Sequence, residues 1–140
     1  MSQPKKHLLT VVAALLSLHL LYFWGPGLFT RGDMASASDN IVEVDQTIAF
    51  RAVPMSSHGN ARSCKADYSG SGAYLTFYCA FGGPNGSFCS TYDFTIHIPE
   101  GCTEVYFPRG NDSFQKIFVK DPDSGLWHNL IKENIRVPAP

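Results

Sequence analysis

Two residues able to exchange a proton, His97 and Glu104, flank the turn-forming run Pro99-Glu100-Gly101-Cys102. An antiparallel hairpin about that turn pairs Ile98 with Thr103 and so sets His97 directly opposite Glu104. Ile96 then faces Val105 and Phe94 faces Phe107, which gathers the large apolar residues on the other face. A carboxylate beside an imidazole orients the ring and holds its charge, which is what a general acid–base pair needs. The plainer reading is a cross-strand pair on a solvated sheet, worth about 0.2–1 kcal/mol.

Secreted microbial ribonucleases of the guanyl-specific type place a His and a Glu on such a sheet face, together with an Arg and a second His. The chain resembles them in residue types, not in spacing, and it shows no counterpart of that family's N-terminal helix. The resemblance implies RNA cleavage by His97 and Glu104, with Arg109 and His128 in the other two roles. Other chemistry is thinner. No Gly-x-Ser-x-Gly run and no Cys-plus-His signature is present. Gly82-Gly83 leads into no helix and reads as turn chemistry, and the histidines lack metal-ligand spacing. Neither a cofactor nor a metal is expected.

The four cysteines, Cys64, Cys79, Cys89 and Cys102, are better suited to cross-linking. An even number in a chain with an export signal reads as two disulfides in an oxidising compartment, and no close Cys-x₂₋₄-Cys pair suggests zinc. Cys79 and Cys89 fall near one turn, Gly82 to Ser87, whereas Cys102 lies at the far end of the strand that follows. The expected bridges are therefore Cys79–Cys89 and Cys64–Cys102, each worth on the order of 2–4 kcal/mol.

A third set of residues could bind rather than react. Tyr74, Tyr78 and Tyr106 alternate outward in the expected register, and exposed tyrosines supply contact area at little entropic cost. Asn85 and Asn111 head two N-glycosylation sequons in turns, meaningful only in a eukaryotic source. Arg31-Gly32-Asp33 spells an integrin-type tripeptide, weak on three residues alone.

These residues need a scaffold, and the pattern supplies one. Val42, Val44, Ile48, Phe50 and Ala52 alternate with polar residues between Ile41 and Val53, as in a half-buried strand. Met55 to Gly72 lacks periodicity and reads as a long surface loop. Strands follow over 73–81, 88–98, 103–107, 114–120 and 126–131, with a short one possible at 135–137. The fold class is all-β, a small disulfide-bonded antiparallel β-sandwich or barrel of six or seven strands.

Lys5 and Lys6 precede an apolar run from Leu8 to Trp24 that Gly25-Pro26-Gly27 ends, the layout of an export signal. Ala35-Ser36-Ala37 has the small residues of a cleavage site but lies well beyond the run. Residues 1–37 are thus expected to be a signal peptide, or an uncleaved anchor, with a short linker, and 38–140 a single extracytoplasmic domain. Eight of the 11 Lys/Arg and eleven of the 12 Asp/Glu lie beyond residue 37, which leaves no basic footprint for nucleic acid. The expected function is a small secreted binding protein of the effector, toxin or surface-ligand type with a protein or carbohydrate partner. A ribonuclease-like hydrolase is the alternative. DNA is not an expected partner, and a membrane is one only if the N-terminal segment stays attached.

Overall fold

The structure is a computed structural model, and it describes residues 3–23, 31–55, 60–80, 92–110 and 112–140. One helix, α1 (Gln3–Phe23), precedes β1 (Arg31–Gly32), β2 (Met34–Ser36), β3 (Asn40–Ile41), β4 (Glu43–Val44), β5 (Thr47–Pro54) and β6 (Asn60–Ser69). Then come β7 (Gly72–Ala80), β8 (Asp93–His97), β9 (Glu104–Pro108), β10 (Ser113–Lys120), β11 (Trp127–Asn129) and β12 (Arg136–Pro138). A single 3₁₀ turn at Ile131–Glu133 sits between the last two.

The all-β expectation holds. The strands form two sheets, and neither closes on itself, so the chain is not a barrel. The large sheet runs β6, β7, β9, β10, β11, β3; β1 extends the β9 side of β7, and β12 extends the β11 side of β10. The small sheet sets β5 between β8 on one side and β2 and β4 on the other. Phe50 and Phe94 of the small sheet meet Phe77, Phe107 and Phe118 of the large one, with ring centroids 5.2–6.0 Å apart. Trp127, Ile48, Leu75, Ile117 and Val105 complete a core with no exposed surface.

Several expectations are corrected. The alternating run from 41 to 53 is not one strand. It breaks at Asp45-Gln46, both at positive φ (50° and 56°), the backbone of a type I′ hairpin turn. Val42 and Val44 consequently stand exposed while Ile41 is buried.

The expected loop from Met55 to Gly72 contains β6, paired with β7 across a two-residue turn at Gly70-Ser71. A register shift between Ala61 and Ser63 hides its period: the inward residues are Ala61, then Cys64 and Ala66, all small.

Of the expected strand 88–98, residues 88–91 lie outside the described residues, and the described part, β8, does not form a hairpin with 103–107. β8 pairs instead with β5, setting His97 opposite Thr47 and Phe94 opposite Phe50. β9 lies parallel to β7 and antiparallel to β10 in the other sheet. The Pro99–Cys102 turn thus carries the chain from one sheet to the other.

The disulfide expectation fails for the described residues. Cys64, Cys79 and Cys102 are free thiols, and Cys89 lies outside those residues. Cys64 sits opposite Phe77, whereas the Cys102 turn is held at Ser71, whose carbonyl accepts from the Thr103 N–H. Six residues of strand separate these levels, roughly 20 Å, where a disulfide needs Cα atoms within about 7 Å. Burial raises the Cys64 thiol to about 12, so it packs as a small apolar residue.

The expected boundary at residue 37 falls inside the folded domain. β1 pairs with β7 in the large sheet, and two residues later β2 pairs with β5 in the small one. Met34 has no exposed surface. A Cβ on Gly32 would come within 2.5 Å of the Cys79 sulfur, so any side chain there would force Cys79 to shift. The Asp33 carboxylate accepts from the Gly110 N–H at 2.9 Å. Arg31-Gly32-Asp33 is therefore built into strand pairing and core packing instead of standing at the tip of a free loop.

Candidate functional site

His97 and Glu104 lie on different sheets, so the hairpin pair expected from the sequence does not form. His97 is exposed at the end of β8, and its carbonyl accepts from the Tyr68 hydroxyl at 2.5 Å. Arg109 is buried. Its Nη1 donates to the carbonyls of Met34 (2.6 Å) and Pro108 (2.9 Å), and its Nε donates to Gln115 Oε1 (2.6 Å). Burial lowers its pKa, and its donors serve the seam between β2, β9 and β10. His128 lies on β11, with Nδ1 3.2 Å from Asn40 Oδ1 and Nε2 3.8 Å from Asp121. His97 and Arg109 thus stand apart from the others, whereas Glu104 and His128 fall in one row of the large sheet, on either side of Val119.

The structure does gather groups on the outer face of the large sheet. Parallel pairing of β7 with β9 sets Tyr74 beside Tyr106, and their rings stack at 4.6 Å and 4°. Asp67 on β6 and Lys116 on β10 continue the row at either end. The Lys116 ammonium lies 5.7 Å from the Tyr106 centroid, and Phe114 packs edge-on against Tyr74 at 5.2 Å. Gly72 makes room for the stack, since a Cβ there would stand 2.9 Å from the Tyr106 ring and 3.0 Å from Tyr74.

Glu104 stands beside this row, two residues before Tyr106 on β9. It accepts from Lys116 Nζ (2.5 Å), the Tyr106 hydroxyl (2.8 Å) and Ser71 Oγ (3.4 Å). Partial burial pushes its carboxyl upward, but the Lys116 ammonium and the two hydroxyls outweigh that and hold it below the usual range. Burial and the adjacent carboxylate both raise the Tyr106 phenol, which remains a neutral donor. Glu104 is therefore an acceptor that orients Tyr106 and Lys116.

Neither a family model, nor a curated protein, nor a solved structure matches this chain. Its function has to be read from its own surface.

Beside the tyrosine stack the surface is concave. A groove of about 730 Å³ is lined by Arg31, Asp33, Thr76, Pro108 and Phe114, with Met55 and Ala139 at its edges. Its size falls within the roughly 300–1,000 Å³ of small-ligand pockets. The tyrosines divide in their roles. Tyr106 is buried and bonded, Tyr74 is half-buried against it, and half-buried Tyr78 lies opposite Arg31. Phe114 had a signal in the sequence, because it takes an outward position on β10 while Gln115 and Ile117 turn inward. Arg31 and Asp33 stood out only as the ends of an Arg-Gly-Asp tripeptide, in a segment that precedes the expected boundary. Asn85 and Asn111 lie outside the described residues, and among those residues no group of His, Cys, Asp or Glu is arranged to hold a metal.

A second carboxylate has a structural role. Glu43 Oε2 on β4 accepts from Lys120 Nζ (2.8 Å) and Trp127 Nε1 (3.1 Å), tying the small sheet to the large one. The Lys120 ammonium lowers its pKa against the opposing effect of burial, with help from the indole N–H. Both Glu43 and Glu104 have folded pKa values below their unfolded ones. The stability they contribute is complete above the unfolded glutamate value of about 4.3 and is lost as pH falls through the folded values. Urea midpoints should hold between pH 7 and 5 and drop below about pH 4.3. Glu43→Gln should cost about 2 kcal/mol at pH 7, since two donors lose a charged acceptor, and should flatten the acid limb. An acid limb unchanged by Glu43→Gln would remove Glu43 from this account.

Proposed function

We propose that this chain carries an exported domain, read as a two-layer β-sandwich, that binds a protein or carbohydrate partner outside the producing cell. The reading belongs to the effector, toxin or surface-ligand type. The observation that supports it best is the groove beside the Tyr74–Tyr106 stack. The Phe114 ring, a guanidinium and a buried threonine converge there, an apolar site with a few polar groups that can fix orientation. His97 lies on the other sheet from Glu104, and Arg109 is buried with structural partners, which gives no support to the hydrolase alternative.

The experiment is a binding screen of the protein against a glycan array and a displayed cell-surface protein library, followed by titration of any hit. Phe114→Ala removes one wall of the groove and should weaken binding at least 10-fold, about 1.4 kcal/mol. Its ring is half-buried on the outer face, so the fold should survive. Thr76→Tyr fills the floor and should abolish binding. A partner whose affinity neither substitution changes would place the binding surface elsewhere.

A further inference from the structure

The apolar run at the start of the chain folds as α1, 21 residues long. At 1.5 Å per residue that is about 31 Å, against a bilayer hydrocarbon core of roughly 30 Å. Every side chain from Lys5 to Tyr22 is exposed, including Leu8, Leu9, Leu15, Leu16, Leu18, Leu20 and Leu21. The window Lys5–Tyr22 is long and apolar enough to cross a membrane, and none of it is buried in the protein. A helix apolar on all sides and left unburied by the protein calls for an external apolar phase.

Such a helix serves either as a signal that is cut away or as an anchor that stays, and the position of the cut decides between them. The alanine pair with the spacing of a cleavage site, Ala35-Ser36-Ala37, is part of the folded domain. Ala35 pairs with Val53, Ser36 with Ala52, and the Ala37 N–H donates to the Arg51 carbonyl at 2.8 Å. Cleavage there would remove β1, β2, the buried Met34 and the Met34 carbonyl that Arg109 holds. The first described strand begins at Arg31, eight residues after the helix ends at Phe23, and eight residue steps span at most about 28 Å.

We propose that α1 is retained as a transmembrane anchor, with Lys5 and Lys6 on the cytoplasmic side, and that it holds the β domain close to the outer surface of a lipid bilayer. The positive-inside rule sets this orientation. The inference is independent of what the groove binds. It makes the protein a displayed binder in place of a diffusible one, so the partner must reach the membrane surface.

The test is translation of the full chain with endoplasmic-reticulum microsomes, followed by enzymatic deglycosylation and alkaline carbonate extraction. The expected product keeps its N-terminus, stays in the membrane pellet and is shielded from added protease over the β domain. Leu15→Asp combined with Leu16→Asp should move the chain to the supernatant. A shorter soluble product, starting anywhere between Trp24 and Ser38, would overturn the anchor, and Gly25-Pro26-Gly27 is where such a cut would fall. So would a full-length soluble product. Pelleting unaffected by the two aspartates would also overturn it, because the helix would then not be what holds the chain.

Discussion

Beginning the chain at Ser38 instead of Arg31 is expected to lower the unfolding free energy by about 4–6 kcal/mol, most of what a small domain possesses. Met34 is lost from a site with no exposed surface, which removes about 2–3 kcal/mol of apolar burial. The Arg109 guanidinium loses the Met34 carbonyl while remaining buried, and a hydrogen bond to a charged group is worth about 1.5–3 kcal/mol. The Asp33 bond to Gly110 and the pairing of β1 with β7 are lost as well. Urea unfolding of chains beginning at Arg31 and at Ser38 gives the comparison directly. Equal midpoints would mean that residues 31–37 are a tail lying on the sheets and not a part of them. A subtler variant isolates the close approach: Gly32→Ala should destabilise by about 1–3 kcal/mol through overpacking against Cys79.

Why these seven residues read as linker shows what a sequence pattern can resolve. β1 and β2 are two and three residues long and belong to different sheets, so no alternation has room to develop. Their neighbourhood also carries a cleavage-like alanine pair, and that local signal competes with a fold that only long-range pairing reveals. β5 was legible because its burial alternates over eight residues, and β7 and β10 because eight or nine residues of β-forming sequence lie between turn signals. β6 is ten residues long and was not, because its inward positions hold only Ala61, Cys64 and Ala66 and its register shifts part-way.

The candidate site was half legible for a related reason. Alternation correctly turned Tyr74 outward, but it is silent on which strand lies beside which. Phe94 and Ile96 face inward equally well against β9 or against β5, since either pairing buries the same side chains. The hairpin reading chose the partner nearest in sequence and thereby joined His97 to Glu104. In the structure the two strands contribute to opposite walls of one core, with Phe50 against Phe94 and Phe107 against Phe118. Moving β9 beside β7 brings Tyr106 onto Tyr74, and this stack was legible only as two separate residues.

Phe50→Ala should cost about 3–5 kcal/mol, the usual range for truncating a buried phenylalanine. Phe50 is 3% exposed and is the ring of β5 that meets both layers. Its centroid lies 6.0 Å from Phe94 in its own sheet, and 5.5 Å and 6.0 Å from Phe107 and Phe118 in the other. The strands around it cannot close over the gap, because β5 is fixed by five paired positions to β8 and β9 by its register with β10. The cavity therefore persists and adds to the lost transfer energy, which places the cost at the upper end of the range. Phe50→Leu keeps most of the volume and should cost only about 1–1.5 kcal/mol. The two variants should shift the urea midpoint without changing the slope, since the same surface is exposed on unfolding. Phe114→Ala, on the outer face of the large sheet, should move the midpoint far less. If Phe50→Ala and Phe114→Ala proved equally destabilising, the aromatic cluster between the sheets would not be what holds them together, and the outer stack would have to share that role.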